Sequence, residues 1–298
     1  MNPRLVLPLL LTGFALAPWL LGQTTPAPTP SAPAAPPVII PRSAEHRITS
    51  AAIGDDFVIQ VRVPASYETS TASFPVLYVL DSDKAFGMTA DMAAWLTWAK
   101  EIPELIVVGI SYGGTEQVWW QKRSRDYTPT PDRGKLWGDW PLAGGAAKFQ
   151  AFLARELFPL IASRYRVRAD DRTLVGISFG GLFGAHTLFT QPKLFQRYVI
   201  IAPALIWDEK RIWECEAEFR AQHTALPAIV FTAVGDLDNA AQIVAPWREL
   251  NHLIEGRNYE GLRWVAQVFP DETHLSVYPA AVSRGLKIVF AAKSPAVP

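Results

Sequence analysis

From about residue 70 onward, short uninterrupted apolar runs alternate with longer stretches whose apolar positions recur every three or four residues. The first kind reads as strands buried on both faces, the second as helices packed on a sheet. "FPVLYVLD" (74–81), "ELIVVGIS" (104–111), "RTLVGIS" (172–178), "RYVIIAPAL" (197–205), "PAIVFTAVG" (227–235) and "RWVAQVFP" (263–270) are the strand runs. Between them, 85–100 reads as a helix. A long amphipathic helix follows over 144–165, with Phe149, Phe152, Leu153, Leu157 and Leu160 on one stripe, and another runs from Phe179 to near Pro192. Segment 42–63 instead alternates polar and apolar positions around Gly54-Asp55-Asp56, as an antiparallel edge hairpin would. The pattern predicts an α/β domain over 42–293: a mainly parallel central sheet with antiparallel N-terminal edge strands and helices on both faces.

The two ends break the pattern. One arginine, Arg4, precedes the apolar stretch "LVLPLLLTGFALAPWLLG" (5–22), which predicts a secretory signal peptide over 1–23 and a periplasmic or secreted protein. A membrane anchor is the competing reading, and Pro8, Pro18 and the lack of basic residues after the stretch count against it. With the signal removed, no stable membrane insertion is expected. Residues 24–41, "TTPAPTPSAPAAPPVIIP", read as an extended Pro/Ala-rich linker, and 294–298 as a C-terminal tail. Cys215 is the single cysteine, so export here implies no internal disulfide. Lysine plus arginine and aspartate plus glutamate each number 28, so no overall field draws the chain to nucleic acid.

The chemistry is carried by "LVGISFGGLFG" (174–184), where Gly176, Ser178 and Gly180 meet the pattern Gly-x-Ser-x-Gly between a strand and a helix. A serine at such a turn projects its hydroxyl above the carboxyl end of the sheet, and small neighbours make room for the bend. The hydroxyl needs a base, usually a histidine held by a carboxylate. Of five histidines, His274 follows the last strand directly, where the order serine, acid, histidine puts the base. His46, His186, His223 and His252 read as structural or solvated. The acid is expected after the strand ending at Gly235, and Asp236 and Asp238 both stand there; Asp271 and Glu272 are outsiders that would have to fold back sharply. Two amides must receive the developing oxyanion. Phe179 supplies one, and Ser82 or Asp83, after the strand ending at Asp81, supplies the other. Such a site requires no metal or cofactor.

"GISFGGLFGAH", "VLYVLDSDKAF", "RSRDYTPT" and "FPDETHLSVYP" together resemble the α/β-hydrolase family that includes esterase D, the mycolyltransferase antigens and the siderophore esterases, over roughly residues 45–290. The branch it is most similar to cuts enterobactin-like or bacillibactin-like trilactones. The resemblance implies an α/β-hydrolase fold and favours Asp238, the third residue after Gly235, as the acid. It also implies a small-molecule ester substrate, of which a ferric or iron-free siderophore is one candidate. That branch often has glutamate at the acid position, and the family usually has glycine where Ser82 stands.

Between 112 and 141, Trp119, Trp120, Trp137 and Trp140 are interleaved with Lys122, Arg123, Arg125, Arg133 and Lys135. A loop of this composition could roof the site, with Trp119, Trp120, Arg123 and Arg125 meeting aromatic rings or an anionic complex. An ordinary tryptophan-packed cap is the alternative. An acyltransferase shares the same triad, and a catalytically silent binding protein would show a broken one.

Overall fold

A computed structural model describes residues 38–134 and 138–291, and residues 39–291 belong to one compact unit. The expected signal peptide, all but the last residues of the linker, the C-terminal tail, Lys135 and Trp137 lie outside the described residues. Among the described residues no helix is long and apolar enough to cross a membrane.

The fold is that of an α/β-hydrolase. Strands β1 (Ser43–Ser50) and β2 (Asp55–Arg62) form the antiparallel hairpin, with Gly54 at φ 77° in its turn. They are joined by β3 (Phe74–Val79), β4 (Ile106–Ser111), β5 (Val167–Ile177), β6 (Arg197–Ile201), β7 (Ile229–Gly235) and β8 (Arg263–Phe269). The sheet order is β1-β2-β4-β3-β5-β6-β7-β8, antiparallel across β1-β2 and β2-β4 and parallel across every other pair. β3 and β4 are buried at every position, as their unbroken apolar runs require.

Helices α1 (Ser82–Trp98), α2 (Glu116–Tyr127), α3 (Ala146–Phe152), α4 (Phe158–Arg164), α5 (Phe179–Thr190), α6 (Trp207–Arg220), α7 (Ala245–Arg257) and α8 (Val277–Phe290) complete the fold. A Cβ on Gly285 of α8 would meet Val199 and Phe231, whereas one on Gly184 of α5 would meet Ile200 and Leu174. Val199 and Ile200 are consecutive in β6, so they point to opposite faces, and helices therefore cover both sides of the sheet.

Two features depart from the periodicity. The helix expected over 144–165 is interrupted by a π turn at Leu153–Leu157, and a second π turn, Ala240–Val244, precedes α7. Each stands just before a proline in the first turn of the next helix, Pro159 and Pro246. Proline has no N–H to give the carbonyl four residues back and its ring crowds that carbonyl, so a widened turn relieves both problems. The second departure is α2, a regular helix where a loop was expected. Thr115 caps it, its hydroxyl oxygen accepting from the Val118 amide at 3.4 Å.

Candidate active site

Ser178 sits between β5 and α5 with φ 59° and ψ −117°, a conformation a non-glycine residue holds only when its surroundings impose it. Those surroundings are backbone. A Cβ on Gly176 would collide with the carbonyl of Gly180, and one on Gly181 would lie 2.8 Å from the Ile201 carbonyl oxygen. The Ser178 amide donates to that same Ile201 carbonyl at 3.0 Å, and its own carbonyl accepts from Leu182 and Ala204. The serine is thus held between the start of α5 and the end of β6.

His274 lies in the turn after β8, and its Nδ1 donates to Asp238 Oδ2 at 2.8 Å. With Nδ1 carrying the proton, Nε2 is left as an acceptor. Asp238 Oδ1 accepts from the Asn239 amide at 2.6 Å, so both carboxylate oxygens are engaged. The loops that bring them together are stitched through their backbones: the Asp236 amide donates to Phe269 and the Leu237 amide to Glu272, each at 3.0 Å. Gly235 makes this possible, because a Cβ there would overlap the Glu272 carbonyl. Asp236 points to solvent, Asp271 is exposed, and the Glu272 carboxylate accepts from the Ser276 hydroxyl instead.

Ser178, Asp238 and His274 line one cavity of about 330 Å³. Its other walls are Trp120, Trp140, Phe179, Ala204, Asn239, Gln242 and Ile243. Trp140 packs edge-on against Phe179 with ring centres 5.7 Å apart, and Trp120 lies 6.0 Å from Trp140. A second cavity of the same volume, walled by Arg62, Ala90, Trp98 and Glu104 among others, contains no serine, histidine or cysteine.

The expected base has no rival in this cavity. His46 bonds the Tyr165 hydroxyl at 2.6 Å, while His223 and His252 are exposed. His186 is buried with its Nδ1 3.7 Å from Cys215 Sγ; burial, helped by the nearby Arg211 charge, pushes its pKa down to about 4.

The expected oxyanion residues lie at two helix starts. Phe179 opens α5 and lines the cavity. Ser82 and Asp83 open α1, whose first backbone bonds run from the Lys84 and Ala85 amides to the Asp81 carbonyl, so the two preceding amides fall in the turn that a helix leaves unpaired internally. The Asp83 carboxylate is occupied by the Ser111 hydroxyl and the Tyr112 and Gly113 amides, at 2.7, 3.0 and 2.9 Å.

The cationic part of the expected substrate site is corrected. Arg123 is buried and bonded to Asp81, and Arg125 is bonded to Asp126 and Asp55. Neither lines the cavity, nor does Trp119; Trp120 alone of the four does. Two of these carboxylates, Asp81 and Asp126, are buried and would otherwise lack a counter-charge, which costs far more than a solvent-exposed contact returns. Lys122 likewise bonds Asp55 at 2.7 Å and Arg133 bonds Asp208 at 2.7 Å. Asn239, Gln242 and Ile243 went unassigned to the cavity in the sequence, and the only signal for them is their place on the turn just after the acid.

Comparison with known proteins gives the family. The family model described as "Putative esterase" matches residues 50–259. The chain is 29% identical over 231 residues to the ferri-bacillibactin esterase BesA of Bacillus subtilis, covering 74% of this chain and 80% of that protein. It is 26% identical over 294 residues to the siderophore triacetylfusarinine C esterase of Aspergillus fumigatus, covering 85% and 95%. Among solved structures, the BES protein from Bacillus cereus superposes with a TM-score of 0.77 at 26% identity, covering 88% of this chain and all of that one. An elbow serine on an α/β-hydrolase sheet and a family match across most of the domain lead to one conclusion: the chain belongs to this esterase family and is a carboxylic ester hydrolase.

Proposed function

We propose that the chain cleaves the ester bonds of a siderophore through an acyl-enzyme formed on Ser178, with His274 as base and Asp238 as its orienting acid. The observation that carries this reading is the 2.8 Å bond from His274 to Asp238 in the cavity that also holds Ser178. Ser178 Oγ attacks the ester carbonyl as its proton passes to His274 Nε2, and Asp238 stabilises the imidazolium. The Phe179 and Ser82 amides receive the charge that develops on the carbonyl oxygen. Collapse of the tetrahedral intermediate breaks the bond to the alcohol oxygen, which leaves with the proton from His274. Water then repeats the sequence and frees the acid.

The siderophore assignment is supported by the named activities of the relatives and by the Trp120–Trp140–Phe179 wall, whose ring faces suit a planar acyl arm. The N-terminal pattern supports a periplasmic or secreted enzyme. The test is mass-spectrometric analysis of products from a tricatecholate trilactone and a fusarinine-type triester, each iron-free and ferric, with wild type and Ser178→Ala. Ring-opened products from wild type alone are expected. Cleavage of a short-chain chromogenic ester with both siderophores intact would leave a general carboxylesterase, and acyl transfer to an added alcohol in preference to water would make it a transferase.

A further inference from the structure

Arg123 and Asp81 form a bidentate pair, Nε to Oδ1 at 2.7 Å and Nη2 to Oδ2 at 2.9 Å, with side chains only 3% and 4% exposed. Burying two charges is costly, and a well-packed apolar pair fills such a space at least as well. A role other than packing is therefore called for, and the neighbours supply one.

Asp81 immediately precedes α1 and is left-handed, with φ 53°. Two side chains of α2 hold it there: Arg123 grips the carboxylate, and the Tyr127 hydroxyl accepts from the Asp81 amide at 3.1 Å. The next residue is Ser82. On its other side the same guanidinium lies 5.0 Å from the centre of the Phe179 ring, and Nη2 is 3.5 Å from the Ile177 carbonyl oxygen, so it touches the residues on either side of Ser178. Asp81 Oδ2 would be 3.4 Å from a Cβ on Gly180. A single guanidinium thus bridges the two backbone stretches that carry the oxyanion amides.

We propose that Arg123 is a positioning residue, which through Asp81 holds the Ser82 and Phe179 amides at the separation the developing oxyanion requires. The proposal rests on the esterase reading of Ser178. Oxyanion donors act by being fixed before the charge appears, and a misplacement of about 1 Å costs on the order of a hundredfold in rate. The pair also cancels the Asp81 charge, which uncompensated would oppose negative charge building up nearby.

Two variants test it. Arg123→Lys keeps the charge but loses the fork that fits a carboxylate at two points. Asp81→Asn combined with Arg123→Met removes both charges, so no lone ion is left buried. The measurements are kcat and KM on a chromogenic acetate ester, the rate at which a fluorophosphonate modifies Ser178, and Tm. In both variants kcat and the phosphonylation rate should fall together by roughly 10- to 100-fold while KM holds. A raised KM at constant kcat would make Arg123 a substrate contact and overturn the proposal. Wild-type kcat per folded molecule with a lowered Tm would overturn it too, since a merely structural pair behaves that way. Phosphonylation needs only the nucleophile, its base and the oxyanion donors. It therefore judges this proposal separately even where wild type leaves every siderophore ester intact.

Discussion

Two carboxylates with side-chain partners flank Ser178, Asp81 with Arg123 at the start of α1 and Asp238 with His274 beyond β7 and β8, and they are built differently. At Asp81 and Arg123 both partners are enclosed. At Asp238 and His274 the carboxylate is 3% exposed but the imidazole keeps 31% of its side chain open to the cavity. The difference follows from what each pair must do. A base that takes a proton from serine, passes it to a leaving alcohol and later takes one from water has to face the space where those molecules sit. A charge whose work is to hold backbone in place loses strength if water reaches it, because the effective dielectric rises. A carboxylate held by a nitrogen donor is therefore kept dry on one side and half open on the other.

Removing the open side should have the larger kinetic effect. Ser178→Ala and His274→Ala should each lower kcat on a chromogenic ester on the order of a million-fold, as loss of the nucleophile or base does in serine hydrolases of this mechanism. Comparable turnover in either variant would remove that residue from the reaction. Asp238→Asn should cost on the order of ten-thousand-fold, because the amide favours the wrong imidazole tautomer and no longer stabilises the cation. Asp236→Asn, at an exposed side chain, should leave kcat/KM near wild type; a reversal of these two results would move the acid. Arg123→Lys, at roughly 10- to 100-fold, falls between them.

Arg125→Ala should separate burial from catalysis. Asp126, buried and already pushed up by desolvation against the pull of Arg125, loses its partner, so Tm should drop while kcat and KM stay near wild type. A raised KM would return Arg125 to the substrate site.

The last effect concerns His186, which is not among the residues lining the cavity. Its folded pKa is about 4 against an ordinary 6.5, so the unfolded chain takes up the proton first as pH falls. The stability this residue contributes is complete above about 6.5 and is lost as pH falls toward 4, by about 3 kcal/mol in all. Denaturation of His186→Leu at several pH values should show a shallower slope than wild type between those limits, and an unchanged slope would mean His186 does not titrate in this way.

The strands, the edge hairpin and the elbow could be read from the chain, because each depends on residues close together. Apolar runs become strands buried on both faces, and Gly176 and Gly181 are needed within a few residues of the serine they accommodate. The sequence was less legible at α2, whose charged and aromatic positions lack a clean apolar stripe because one of its buried residues is an arginine.

Tertiary structure decided what depended on partners distant in the chain. Arg123 reads as a cation available to a ligand until Asp81, 42 residues earlier, is seen to occupy it. Asp236 and Asp238 are chemically equivalent on paper, and what separates them is the Glu272 carbonyl lying over Gly235, which turns the loop so that the second aspartate faces His274 and the first faces water. Local sequence specifies backbone shape because dihedral preferences and periodicity are short-range. The destination of a charge is not specified in that way, since burial is tolerated only where the fold delivers a counter-charge.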